Sequence, residues 1–200
     1  MATKENIVLF DFDGTLIHAD SFLKFARKVC GLPRFCCVML VHLPMLVMMC
    51  LRLTPRDVAK QRLFSAFFKG MDVERFRQLG RDFAQDVDGW ICRAVYECAQ
   101  DARKQGKDVY VVTASIEDWV RPWCEKQGFL CVGTRAEVDA GGHLTGLFVG
   151  RNCRADEKVR RISEMLPKPR SCYHVLAYGD SEGDRELLAW ADEGILISCL

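Results

Sequence analysis

The sequence has no Cys-x-x-Cys pair, although it carries eleven cysteines. The paired spacings of a structural zinc site are therefore missing. Its four histidines, at positions 18, 42, 143 and 174, fall at no metal-ligand spacing. Neither sign of charge dominates. There are 28 Lys and Arg against 27 Asp and Glu, a formal charge of +1. That balance lacks the electrostatic footprint of a nucleic-acid-binding surface, and no nucleic-acid partner is expected. No repeat or low-complexity segment is evident. No basic-then-apolar leader precedes the first apolar run, so a cleaved signal peptide is not expected. The cysteine count is odd, and Cys50, Cys98, Cys124 and Cys131 sit among apolar neighbours in sequence. Free cysteine in such surroundings behaves as a small hydrophobe, which predicts a reducing, cytoplasmic setting.

What the chain does have is a periodic alternation. Half of its 200 residues are hydrophobic, enough for the core of one α/β domain with a sizeable insertion. Ile7-Val8-Leu9-Phe10 reads as a buried strand covering roughly residues 6 to 11. Further strands are predicted at 109–112, 130–132, 174–177 and 194–197. Residues 137–149, centred on Gly141-Gly142, read as a β-hairpin. Ile91, Val95, Cys98 and Ala102 space as one helix face, with Gly106 as its C-cap. Val159, Ile162 and Leu166 mark another before Pro167, and Leu187, Leu188 and Ala191 the last. A helix over 116–127 should be kinked or shortened by Pro122. Alternating strands and helices predict a parallel sheet covered on both faces.

Residues 18 to 88 break the alternation and read as a helical insertion. Val73, Phe76, Leu79, Phe83 and Val87 form one amphipathic face, with Asp72 as N-cap. Phe35 to Leu51 is apolar except for His42 and Pro44, and is flanked by Arg34 and Arg52. A single membrane crossing there would separate strands that must share one sheet. Two readings remain: a buried helix pair, and a peripheral membrane-docking or acyl-chain-binding surface over residues 35–51. Met39, Met45, Met48 and Met49 would suit an adaptable apolar groove.

The chemistry gathers at strand ends. Asp11-Phe12-Asp13-Gly14-Thr15-Leu16 brings two carboxylates to the carboxyl end of the first strand, where ligands bind in open α/β sheets. Val111-Val112-Thr113 places a hydroxyl at the end of a second strand, and Gly179-Asp180 ends a third. Lys158 opens an amphipathic helix, and Asp184 lies four residues beyond Asp180. If the strands are neighbours, Asp11, Asp13 and Asp180 converge as hard oxygen donors that suit Mg²⁺. Thr113, Lys158 and the N–H of Gly14 would then supply donors to a phosphoryl group.

Taken in chain order, Asp11 to Leu16, Val111 to Thr113, Lys158 and Gly179 to Asp184 resemble the four motifs of the haloacid dehalogenase superfamily. Gly150 to Ile162 and Gly179 to Leu188 are similar to its subfamily IB, the phosphoserine phosphatase-like branch. The resemblance implies a Rossmannoid parallel sheet sandwiched by helices, with a small β-hairpin and a helical type 1 cap inserted after strand 1. Residues 1–17 and 89–200 would form the core domain, and 18–88 the cap. It implies an Mg²⁺-dependent phosphatase in which Asp11 is the nucleophile and Asp13 the general acid and base. Asp11, the Asp13 carbonyl and Asp180 would hold the metal, Thr113 and Lys158 the phosphoryl oxygens. Asp184 would order the metal's hydration or Lys158. Phosphoserine phosphatases carry a substrate-holding Glu seven residues after the second motif Asp. Asp20 stands there, one methylene shorter. The apolar insertion also resembles that of C-type phosphatidylglycerophosphatases. The expected substrate is a phosphorylated small molecule or lipid with an apolar portion. The rivals are a phosphoserine phosphatase, a phosphotransferase on the same core, and a catalytically idle scaffold that binds a membrane or protein partner.

Overall fold

The computed structural model describes residues 4–197. Strand β1 (Glu5–Phe10) leads through a tight loop into a run of helices. These are α1 (Ser21–Val41), α2 (Leu43–Cys50), α3 (Arg56–Phe68) and α4 (Val73–Ala84). The alternating part follows: α5 (Arg93–Lys104), β2 (Asp108–Ile116), α6 (Glu117–Gln127) and β3 (Leu130–Thr134). A hairpin of β4 (Ala136–Val138) and β5 (Leu144–Phe148) precedes α7 (Asp156–Met165), β6 (Tyr173–Gly179), α8 (Arg185–Trp190) and β7 (Glu193–Leu196).

The main sheet is wholly parallel, in the order β3-β2-β1-β6-β7. The chain builds outward from β1 to β3, then returns to the other side of β1 with β6. That reversal creates a switch point at the carboxyl end of β1. Phe10 pairs with Val111 on one side and Tyr178 on the other. Asp11 and Asp180 therefore leave β1 and β6 at nearly the level of Thr113, which was expected at the end of its strand but lies within β2, because β2 runs on to Ile116.

The near-continuous apolar runs of β1 and β2 follow from burial on both faces. Val8, Phe10, Val109 and Val111 face the cluster that includes α1 and α3 to α6. Ile7, Leu9, Tyr110 and Val112 face α7 and α8. The inserted helices share the first cluster through aromatic contacts. Phe25 of α1 stacks on Trp119 of α6 with centroids 4.6 Å apart, and Phe64 of α3 meets Phe148 of β5 at 5.2 Å.

Several local expectations need correction. Helix α6 runs unshortened through Pro122. Proline at that position leaves the Asp118 carbonyl without its helical donor, and Gly80 of α4 packs directly against that carbonyl. Helix α4 ends at Ala84, and Val87 opens a separate 3-10 turn, Val87–Trp90, while remaining buried. Cys124 and Cys131 are buried, but Cys50 and Cys98 are exposed, because both lie on outer helix faces. Nine cysteines are free thiols among the described residues. The buried-pair reading of 35–51 also fails. No residue of that segment is fully buried. Helix α1 kinks at Gly31 (φ 73°) just before Pro33, and α1 and α2 meet at a 60° bend. No single described helix is long and apolar enough to cross a membrane.

Candidate active site

Lys158 sits between two carboxylates. Its Nζ lies 2.5 Å from Asp11 Oδ1 and 2.5 Å from Asp184 Oδ1, and all three side chains are buried. The first turn of α7 carries the lysine there, and the backbone is anchored around it. Ala155, at φ 56°, donates its N–H to the Gly183 carbonyl at 2.9 Å. Arg161, one turn on, donates to the carbonyls of Gly133 and Arg151, each at 2.5 Å, and to Glu157 at 2.8 Å. Arg160 also holds Glu157, and together with Arg161 it keeps that carboxyl down at about 2 despite burial. Burial lowers the Lys158 ammonium, but Asp11 and Asp184 outweigh it and the net shift is upward. Lys158 is therefore a permanent cation.

Burial dominates at Asp11 and pushes its carboxyl up to about 7. Lys158 opposes that rise, and the Asp184 charge adds to it. Asp184 is held below the usual carboxylate range. Burial opposes this, but Lys158 and the hydrogen bonds around Ser181 prevail. Its Oδ2 accepts from Ser181 Oγ at 2.9 Å and Ser181 N at 3.1 Å, closing a capping box. Asp180 lies beside Gly14. At φ 82°, Gly14 occupies a conformation that favours glycine, and a Cβ there would overlap the Asp180 carboxylate. Oxygens of Asp11, Asp180 and Asp184 all lie within 4.8 Å of one another. Such a hard, acidic donor set fits a small divalent cation.

Asp13 is held differently from Asp11. Its Oδ1 accepts the Ser21 N–H at 2.8 Å. Its Oδ2 accepts from Ser21 Oγ at 3.1 Å and from Ser115 Oγ. Trp119 Nε1 donates to Ser21 Oγ at 3.1 Å and fixes that hydroxyl in turn. The Asp13 side chain is thus tied to the inserted helices, while Asp11 is tied to Lys158. Burial, and then the Asp20 charge, raise the Asp13 carboxyl. Thr113 Oγ1 accepts from Ser115 N at 3.0 Å, which leaves its O–H as a donor at the cavity wall.

A cavity of about 400 Å³ opens over these groups. Asp11, Asp13, Thr113 and Lys158 line its floor. Leu23, Met39, Leu46, Met49 and Leu63 give it an apolar wall from the inserted helices, and Arg56, Lys60 and Arg154 lie between. Asp20 lines the cavity, and it also caps α1 by accepting from Leu23 N at 2.9 Å. Sequence reasoning missed Ser21, Ser115 and Lys60. Ser115 was findable: it lies two residues after Thr113, on the same face of β2. Lys60 donates to the Ala114 carbonyl at 2.9 Å, and nothing in the local pattern of α3 marks it.

The site thus joins carboxylates at two neighbouring strand ends, a hydroxyl on a third strand and a lysine from a following helix. The chain belongs to the haloacid dehalogenase-like hydrolase family, which residues 8–189 match. It is 36% identical over 193 residues to Protein CicA of Caulobacter vibrioides, covering 94% of this chain and 83% of that one. A structure of a protein of unknown function from Bordetella pertussis Tohama I superposes with a TM-score of 0.74 at 21% identity, over 94% of this chain and 87% of the other. A substrate-bound phosphoserine phosphatase superposes with a TM-score of 0.64 at 19% identity, over 94% and 84%. At those identities the two structures share the fold.

Proposed function

We propose that the protein is an Mg²⁺-dependent phosphomonoester hydrolase acting through an aspartyl-phosphate on Asp11. The observation that carries this is the division between the two motif aspartates. One is paired with a buried lysine amid further carboxylates, and the other is turned toward the cap by two serines. Asp11 attacks phosphorus, and the bond to the ester oxygen breaks. Asp13, whose raised carboxyl suits an acid, protonates the leaving alkoxide. Asp13 then takes a proton from the water that attacks the phospho-aspartate, releasing phosphate and restoring Asp11. Thr113 and Lys158 hold the phosphoryl oxygens, whereas the Gly14 N–H, expected to join them, donates to the Ile17 carbonyl at 2.7 Å. Asp11, Asp180 and the main-chain carbonyl of Asp13 would hold Mg²⁺, which neutralises phosphoryl charge and favours ionised Asp11. Asp184 is engaged by Lys158 and Ser181, so it positions the lysine.

Residues 1–17 and 89–200 form the catalytic core in this reading, and 18–88 the cap that selects substrate. The apolar cavity wall favours a phosphomonoester with an apolar portion over a small zwitterion. The test is turnover of soluble and lipid-like phosphomonoesters by the purified protein, with Mg²⁺ and with chelator. Turnover should require the metal and favour apolar esters. Asp11→Asn should lose at least about 10³-fold in kcat/KM. Equal activity in Asp11→Asn would sink the assignment, and preference for phosphoserine over every apolar ester would sink the substrate class.

A further inference from the structure

The bent pair α1–α2 is apolar on both of its faces. Phe35, Val38, Met39, Met45, Leu46 and Met49 point inward. They pack against the first core cluster or line the cavity. The opposite face carries Leu40, Val41, Leu43, Val47, Met48 and Leu51, of which Leu40, Val41 and Leu51 are 70%, 69% and 64% exposed. The spacing is helical: positions 36, 37, 40 and 41 of α1 share one side, as do 43 and 47 of α2 with its C-cap Leu51. A helix that is apolar all round belongs in a core or against lipid, and here one half is uncovered.

Charge chooses between the possible occupants. Between Asp20 and Asp57 there is no acidic residue but six cations. Lys28 pairs with Asp86, Arg34 donates to the Phe67 carbonyl and Arg56 lines the cavity, while Lys24, Arg27 and Arg52 are exposed beside the pair. Two copies of this chain meeting through the face would bring Arg52 and its neighbouring cations together, and the segment itself has no carboxylate to pair them. An anionic lipid surface takes the apolar side chains into its acyl boundary and the flanking cations at its headgroups.

We propose that the outward face of α1 and α2 docks on an anionic lipid surface, placing the apolar cavity wall beside the bilayer. Docking itself does not depend on the catalytic reading. Delivery of a lipid-like phosphomonoester into the cavity rests on that reading. The same two helices would serve both ends: their outer side chains enter lipid, while Met39, Leu46 and Met49 meet the substrate's apolar part.

The test is flotation of the full-length protein with vesicles of phosphatidylcholine alone and of phosphatidylcholine mixed with phosphatidylglycerol. The wild type should float with the anionic vesicles, and less as salt rises. The triple variant Leu40→Gln, Val41→Gln, Val47→Gln should float at least about tenfold less. It should still hydrolyse soluble p-nitrophenyl phosphate, because none of the three lines the cavity. Arg52→Glu provides a second variant that spares the apolar face, and it should weaken binding to anionic vesicles alone. Asp11→Asn should float like the wild type, so a failure of docking and a failure of catalysis are read separately. No flotation of the wild type, or equal flotation of the triple variant, overturns the proposal. So does a wild-type dimer that the triple variant reduces to a monomer without any flotation, which would assign the face to a second copy.

Discussion

At the scale of single residues, the site turns on one buried cation among several carboxylates. Lys158 satisfies Asp11 and Asp184 at once, so its removal leaves Asp11 without its cation and Asp184 with only the hydrogen bonds from Ser181 and Asp180. Lys158→Met should cost about 3–5 kcal/mol of stability, measured by urea unfolding. Asp11→Asn removes a charge that its surroundings already disfavour, and should leave stability unchanged or raised. If the lysine variant is as stable as wild type, the ion pair does not hold the site together. Much of this was legible in the sequence. Asp11, Asp13, Lys158, Asp180 and Asp184 sit just past apolar strands or at starts of helices, where chain geometry dictates their placement, and Thr113 follows the apolar run of β2. Ser21 and Lys60 were not legible. Their partners, Asp13 and the Ala114 carbonyl, are brought to them only by the packing of the inserted helices on the sheet.

At the scale of elements, two contacts fix the helices that carry the site. The first is the clamp on α7, in which Glu157 joins Arg160 and Arg161. Its folded carboxyl lies near 2 against an ordinary 4.5. The stabilisation is therefore complete above about 4.5 and disappears as pH falls through about 2. Its size is about 3 kcal/mol at most. The stability gap between wild type and Glu157→Gln should be widest near neutral pH and should close toward pH 2 in urea titrations. A gap independent of pH would mean that the clamp acts through packing alone. The second contact is Gly80 against the Asp118 carbonyl. Alanine is the better helix former by about 1 kcal/mol, yet overpacking costs about 1–3 kcal/mol. Gly80→Ala should lower the melting temperature, and a rise would show that α4 and α6 can move apart. The expectation that Pro122 would kink or shorten α6 missed this pairing. A local rule about proline cannot see a glycine from another helix beside the carbonyl that proline leaves free.

At the scale of the whole molecule, the strand order is what assembles the site. With β1 between β2 and β6, residues from positions 11, 113 and 180 meet at one sheet edge, and α7 brings Lys158 across. The order of strands and helices was readable because each buried strand is a short apolar run bounded by polar turns. The covering of residues 35–51 was not readable. A segment apolar on every side has no periodicity to say which side faces inward. The central claim is that a phosphoryl group passes through Asp11, with Asp13 handling protons. The most direct measurement is acid-quenched Asp13→Asn after brief exposure to p-nitrophenyl phosphate and Mg²⁺, followed by borohydride reduction and peptide mass spectrometry. A good leaving group needs no acid, while breakdown of the intermediate lacks its base. A burst of nitrophenol and homoserine at position 11 are therefore predicted. Turnover by the wild type with no label at Asp11 in either protein, or a label on another residue, would contradict the account.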